Sequence, residues 1–275
     1  MGTLYIVATP IGNLEDITAR ALRVLSEVRL IAAEDTRHTA RLLQRYGIVT
    51  PTVSYHAHNE REREALLLGE LALGDVALVT DAGTPGISDP GSALAAAAAR
   101  AGHVVSPVPG PSALAAAASA SGLVDGPMLF AGFLPRAGGE RATAIGRIAA
   151  AGCATVLFEA PGRVAGTLRD LAAALGNREA VVCRELTKLH EEIRRGSLAE
   201  LAAWADHGVR GEAVIVVAAP AAEAADVSDL PALVDALRRS GLGASETAKE
   251  AARMTGRPRS EIYQIAREWK PAGGA

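Results

Sequence analysis

Residues 76–91 read Val-Ala-Leu-Val-Thr-Asp-Ala-Gly-Thr-Pro-Gly-Ile-Ser-Asp-Pro-Gly. Val76–Thr80 is an unbroken β-prone run, the mark of a strand covered on both faces. It breaks into an eleven-residue loop, Asp81–Gly91, that holds three Gly, two Pro and two Asp. A helical stretch, Ser92–Ala101, and another apolar run, Val104–Pro107, come next. Strand, loop, helix and strand in that order build a mostly parallel sheet covered by helices.

The same alternation extends in both directions. Upstream, Leu4–Ala8, Leu30–Ala33 and Thr52–Tyr55 read as strands. Between them, Leu14–Val28 has helical spacing with Asn13 as its N-cap. Thr36–Tyr46 is a helix that Gly47 stops, and a charged helix is expected around Glu60–Leu71. Downstream, the turn residues Gly122, Asp125, Gly126 and Pro127 mark a boundary. Strands are then expected at Met128–Ala131, Ala154–Glu159, Ala180–Arg184 and Ala213–Ala218, with a short one at Ile193–Gly196. Helices are expected at Arg141–Ala151 and Val164–Leu175, and Ser197-Leu198-Ala199-Glu200 is a capping box. An Ala/acidic linker, Pro220–Asp229, leads to helical segments around Leu230–Arg239, Ala244–Thr255 and Ser260–Trp269. The expected division is 1–122 and 123–220 for two α/β domains, with 221–275 as linker and helical tail.

Composition narrows the function. The chain has 275 residues, room for two α/β domains, and a net charge of −3 with only 3% aromatics. A general nucleic-acid-coating protein needs a basic excess and stacking platforms, and both are lacking. There is no long apolar run to span a membrane, and residues 1–15 lack a basic n-region, so a cytosolic chain is expected. Cys153 and Cys183 are too few and too far apart for a disulfide framework and read as buried thiols.

Candidate chemistry sits in the loops after the strands, where open α/β sheets bind ligands. The first loop, Thr9-Pro10-Ile11-Gly12-Asn13-Leu14, is neither Gly-x-Gly-x-x-Gly nor a Walker motif. On its own it reads as a plain turn. Asp81–Gly91 is more restricted than a connection needs. Having no Lys, it suits a neutral or cationic ligand held by backbone. Pro107–Ala113 is a rigid turn into a small-residue helix, against which a flat ligand fits. Arg184–Glu192 alternates charge densely. Glu34 and Asp35, beside Arg37 and His38 and with His56, His58 and Asn59 downstream, suit acid/base work. His56-x-His58 admits a metal only weakly, since no third ligand has diagnostic spacing. No nucleophile elbow is present.

Seven of these stretches occur in order and at family spacing: Thr9–Leu14, Ala33–His38, Asp81–Gly91, Pro109–Ala113, Gly132-Phe133-Leu134-Pro135-Arg136, Glu185–Glu192 and Gly211-Glu212. Over about residues 3–218 the chain resembles the tetrapyrrole methylase family. Within it, the chain resembles the branch that methylates the ribose 2′-oxygen of a cytidine of bacterial 16S ribosomal RNA. The tail, with Thr255-Gly256-Arg257-Pro258, is similar to the helical extension of that branch. The resemblance implies a class III two-domain α/β methyltransferase, a homodimer, S-adenosylmethionine between the domains, and no metal. By position it places cofactor contacts on Pro10, Asp81, Ala82, Gly83, Ile87 and Ser88, on Ser112 and Ala113, and on Phe158 and Leu186 of the second domain. It implies small-subunit rRNA as substrate. The Thr-Pro-Ile-Gly-Asn-Leu loop favours RNA over a tetrapyrrole, whose methylases carry a Gly-rich acidic loop there. The chain departs from its relatives at Ala160-Pro161-Gly162-Arg163, where many carry a His.

Transfer to a hydroxyl needs a base for its proton. Glu34 or Asp35 is the expected base, with Arg37 and Asn59 orienting ribose or phosphate, and Glu185 and Lys188 as rivals. Arg136, Arg141, Arg147 and the basic stretch 253–270 are candidate RNA phosphate contacts. The competing readings are a tetrapyrrole or protein side-chain methylase on the same fold, and a nucleic-acid-binding regulator using the C-terminal helices as a helix-turn-helix.

Overall fold

The computed structural model describes residues 2–220 and 229–269; most of the expected linker, 221–228, and Lys270 of the basic stretch lie outside them. The first sheet is wholly parallel, in the order β3-β2-β4-β1-β5. Its strands are β1 (Thr3–Val7), β2 (Leu30–Ala33), β3 (Thr52–Ser54), β4 (Val76–Val79) and β5 (Val104–Val108). Its helices are α1 (Ala19–Glu27), α2 (Thr36–Arg45), α3 (Glu60–Leu73) and α4 (Ser92–Arg100).

All four residues of β4 are fully buried, as a central strand covered on both faces requires. Val76 and Leu78 meet Leu67 and Leu71 of α3 and Leu94 of α4. Ala77 and Val79 point the other way, toward Val24 and Leu25 of α1 and Leu42 and Leu43 of α2. The period-2 alternation of a strand sorts one apolar run into two cores.

The segment Leu14–Val28 is not one helix. Leu14–Asp16 form a single 3-10 turn, capped by Asn13 through Glu15 N–H. Ile17 is extended, and Thr18 opens α1 by accepting from Ala21 N–H. The Thr18 hydroxyl competes with helical pairing at that position and wins.

The second sheet has the order β6-β7-β10-β8-β9, and it is not a repeat of the parallel alternation. Its strands are β6 (Met128–Phe133), β7 (Ala154–Glu159), β8 (Glu179–Arg184), β9 (Glu192–Ser197) and β10 (Ala213–Val217). Only β6 and β7 are parallel; β10 runs antiparallel to β7 and β8, and β8 to β9. The short strand expected at Ile193–Gly196 is a six-residue edge strand. Helices α6 (Gly138–Ala150), α7 (Val164–Leu175) and α8 (Leu198–Ala205) cover one face, around Leu157, Leu168, Leu171 and Ile215. Burying each such Leu contributes about 1.5–3 kcal/mol. Helix α5 (Ala113–Ser121) precedes the Gly122–Pro127 turn cluster, yet it packs on the other face of this second sheet, with Ala117 against Val156 and Val216.

Both sheets form one compact unit that ends at Ala219. A second unit begins at Pro220 and holds α9 (Leu230–Arg239), α10 (Ala244–Thr255) and α11 (Arg259–Glu268) around Leu233, Val234, Ala251 and Ile262. No helix among the described residues is long and apolar enough to cross a membrane.

Candidate active site

The loops after β1, β2, β4 and β5 meet at the carboxyl edge of the first sheet and lock one another. Thr9 N–H donates to Gly83 O (2.9 Å) and Gly83 N–H to Thr9 O (3.0 Å). The Thr9 hydroxyl donates to Thr80 O (3.0 Å), and the Thr84 hydroxyl to Pro111 O (3.3 Å). Asp81 N–H donates to Glu34 Oε2 (3.2 Å), and Asp35 N–H to Asp81 Oδ1 (3.1 Å). The loops form one wall of a cavity of about 420 Å³, within the range of small-molecule sites. The opposite wall comes from the second sheet: Phe133, Phe158 to Pro161, Cys183, Leu186 and Glu212 to Val214.

Nine of the ten expected cofactor positions line this cavity. They are Asp81, Ala82, Gly83, Ile87, Ser88, Ser112 and Ala113 from one wall, and Phe158 and Leu186 from the other. Pro10 is buried behind it, and its neighbour Ile11 faces in. Of the six expected catalytic residues, only Glu34 lines the cavity. Asp35 caps α2 by accepting from Arg37 N–H (2.8 Å) and pairs with the Arg37 guanidinium (2.8 Å). Those bonds hold its carboxyl far below the usual range. Arg37 is 90% exposed. Asn59 closes a local turn, accepting from His56 N–H (2.8 Å) and donating to Ser54 (3.1 Å).

Glu185 and Lys188 form a clasp at the cavity's side. Lys188 Nζ bonds Glu185 (3.0 Å) and Glu212 (2.8 Å). Asn13 N–H donates to the Thr187 hydroxyl (3.1 Å), tying this loop to the first one. Gly12 permits the approach: a Cβ there would lie 2.5 Å from Lys188 Cγ. Burial opposes the charge on Lys188, but Glu212 and Glu185 outweigh it and raise its pKa. Lys188 lowers that of Glu185. Both groups stay charged, which suits a clasp rather than a base.

The cavity's own carboxyls behave in the opposite way. Burial raises the Glu34 pKa, with the Asp81 N–H bond opposing and the Asp81 carboxylate adding. Burial pushes Asp89 up to about 6, with Glu34 and Asp81 adding and the Thr80 hydroxyl opposing. Cys183, fully buried, is pushed up to about 11 by burial and is a poor nucleophile. Cys153 is only half-buried, since it sits at the turn before β7. His56 and His58 lie 6.0 Å apart, and no three metal-ligating groups gather among the described residues.

Sequence reasoning left out Asp89, Phe133, Glu159, Pro161 and Glu212–Val214. Asp89 lies inside the loop that composition singles out, and Phe133 inside a stretch that carries the family resemblance. Glu159 is buried, receives the Thr167 hydroxyl (2.6 Å) and pairs with Arg163 (3.1 Å), which fixes the Ala160–Arg163 turn. Among the candidate phosphate contacts, Arg141 is only 12% exposed and is held by Asp170, Pro135 O and Thr167, so it is a structural residue. Arg136 and Arg147 are exposed.

A site of this kind, between two α/β sheets and without a dinucleotide-binding glycine motif, defines a class. Residues 3–202 match the model of the Tetrapyrrole (Corrin/Porphyrin) Methylases, and the chain belongs to that family. It is a methyltransferase, and its cofactor is S-adenosylmethionine. Curated relatives match it nearly end to end. "Ribosomal RNA small subunit methyltransferase I" of Synechocystis sp. is 44% identical, over 99% of this chain and 100% of that one. The protein of the same name from Pseudomonas aeruginosa is 45% identical over 96% of each chain. Among solved structures, a cobalt precorrin-4 methyltransferase is similar in fold, with a TM-score of 0.61 at 19% identity over 78% of this chain and 94% of that one. So is uroporphyrin-III C-methyltransferase from Thermus thermophilus complexed with S-adenyl homocysteine, with a TM-score of 0.57 at 23% identity over 79% and 97%.

The lining fits that cofactor. Glu34, Asp81 and Asp89 give the cavity the negative charge that would stabilise a sulfonium, and Ile11, Phe158, Leu186 and Val214 give it an apolar surface on which an adenine ring would fit.

Proposed function

We propose that this chain methylates small-subunit ribosomal RNA, at the ribose 2′-oxygen of a cytidine of the decoding centre. The observation that carries the reading is identity of 41–45% to proteins named for that RNA, over nearly the whole chain. The same reading makes the chain cytosolic and homodimeric, with the assembled small subunit as substrate.

When bound, S-adenosylmethionine supplies a methyl group on a positively charged sulfur. The protein's part is to hold the 2′-hydroxyl in line and to take its proton. Glu34 is the base in this reading. One oxygen, Oε2, is fixed by Asp81 N–H, which leaves Oε1 for the hydroxyl proton. The raised pKa of Glu34 makes it a better base than an ordinary carboxylate, whereas Asp35 is held too low. Glu34 would take the hydroxyl proton as the methyl group leaves the sulfur for the 2′-oxygen. Asp81 and Asp89 hold the negative charge of the first wall, the Lys188 ion pairs brace the loop of the second, and the Asn13 N–H bond to the Thr187 hydroxyl ties that loop to the first side.

Single-turnover methylation of unmethylated small subunits tests the assignment. Glu34→Gln should slow the step by roughly 10²–10⁴-fold, the ordinary worth of a positioned base, a larger loss than the accompanying change in cofactor affinity. A near-unchanged rate removes Glu34 as base.

A further inference from the structure

The chain has three phenylalanines, and all of them lie in one cluster at the cavity. Phe130 and Phe158 meet edge to face at 5.0 Å, and Phe133 meets Phe158 at 5.6 Å. The inner two are half-buried, but Phe133 is 57% exposed at the rim.

A bulge in β6 makes this arrangement. Phe130 pairs with Val156 and Phe133 with Phe158, so three steps on β6 match two on β7. In a regular strand, residues three apart face opposite ways. The extra residue at Ala131–Gly132 puts both Phe130 and Phe133 on the face of Phe158. Gly132 takes φ +59°, and a Cβ there would lie 3.2 Å from the Ser88 hydroxyl, so β6 passes close to the loop of the first sheet at the bulge.

Beyond the rim lies a second cavity of about 560 Å³, which shares Pro161 with the first. Four arginines line it against two aspartates. Arg163 and Arg169 are paired, as is Arg141, but Arg136 has no partner among the described residues. An exposed ring at Phe133 and, three residues along the chain, the exposed guanidinium of Arg136 match a nucleotide: base on the ring, phosphate at the guanidinium.

We propose that Phe133 is the stacking platform for a nucleobase of the substrate RNA, with Arg136 receiving an adjacent phosphate. The inference rests on the ribosomal RNA reading and adds a residue to it. Phe133 is a positioning residue: it orients the nucleotide while Glu34 meets the hydroxyl.

The test uses the full chain, unmethylated small subunits and S-adenosylmethionine. Phe133→Ala should raise KM for subunits by about 5- to 150-fold, the worth of one base–aromatic stack, with a smaller change in the cofactor Kd from calorimetry. Phe133→Leu keeps apolar bulk without a π face and should behave like Phe133→Ala, whereas Phe133→Trp should restore KM. Arg136→Glu should also raise KM without moving the cofactor Kd. An unchanged KM in Phe133→Ala, wild-type behaviour of Phe133→Leu, or a loss confined to cofactor affinity each overturns the proposal. Failure of the unsubstituted chain to methylate subunits would instead remove the reading on which it rests.

Discussion

Replacing Asp89 with asparagine should stabilise the protein, and the gain should depend on pH in a defined way. The folded protein holds the Asp89 carboxyl at about 6, against an ordinary 3.8. Each unit of difference corresponds to about 1.4 kcal/mol, so a fully sequestered carboxylate would cost the fold about 3 kcal/mol once ionised. Asp89 is only half-buried, and solvent screening reduces this to about 1–2 kcal/mol. The folded state binds the proton more tightly than the unfolded chain. Stability contributed by this group is therefore complete below pH 3.8, falls as pH rises to about 6, and is flat above it. Asparagine removes the ionisation. The variant should exceed the parent by about 1–2 kcal/mol at pH 8, a rise in Tm of roughly 2–8 °C for a unit of this size, and the difference should shrink below pH 6. Thermal and urea unfolding at pH 5, 6, 7 and 8 measure it. A variant less stable at pH 8, or a difference that ignores pH, would refute the electrostatic account of this wall.

The same carboxyls should make cofactor binding pH-dependent. The Kd for S-adenosylmethionine should rise as pH falls through about 6, with proton release seen as a buffer-dependent calorimetric heat near pH 6, and Asp89→Asn should flatten both. Gly132→Ala should lose about 1–2 kcal/mol in urea unfolding, because φ +59° disfavours a side chain and the new Cβ would sit 3.2 Å from Ser88 Oγ. Lys188→Ala breaks two ion pairs and should lower stability by about 1 kcal/mol, but single-turnover rate should stay within tenfold; a hundredfold loss would restore Lys188 to the chemistry.

Much of the architecture can be read from the sequence where local physics decides it. Val76–Val79 can only be a strand covered on both sides, and the Pro/Gly density of Asp81–Gly91 marks a shaped loop. Strand direction in the second sheet is harder. Ala180–Cys183 and Ala213–Val217 are apolar runs that look the same in either direction. The readable signal was the seven-residue link from β8 to β9, too short for a parallel crossover. In the site, nine of the ten positions that the family resemblance assigns to the cofactor line one cavity. The catalytic set was less legible. Asp35 as helix cap, Asn59 as turn closure and Lys188 as clasp are the residue types that chemistry also uses, and only distances separate the roles. Phe133 was hidden because a bulge changes which face a residue occupies without changing its composition.

The central claim is the acceptor atom. The direct measurement is to incubate the purified chain with small subunits lacking the modification and with methyl-labelled S-adenosylmethionine. The 16S RNA is then digested and the labelled nucleoside identified by mass spectrometry. The account predicts one labelled site per subunit, a 2′-O-methylcytidine in the decoding centre. Label on a base, on ribosomal protein, or on an added tetrapyrrole with none on the RNA would contradict it.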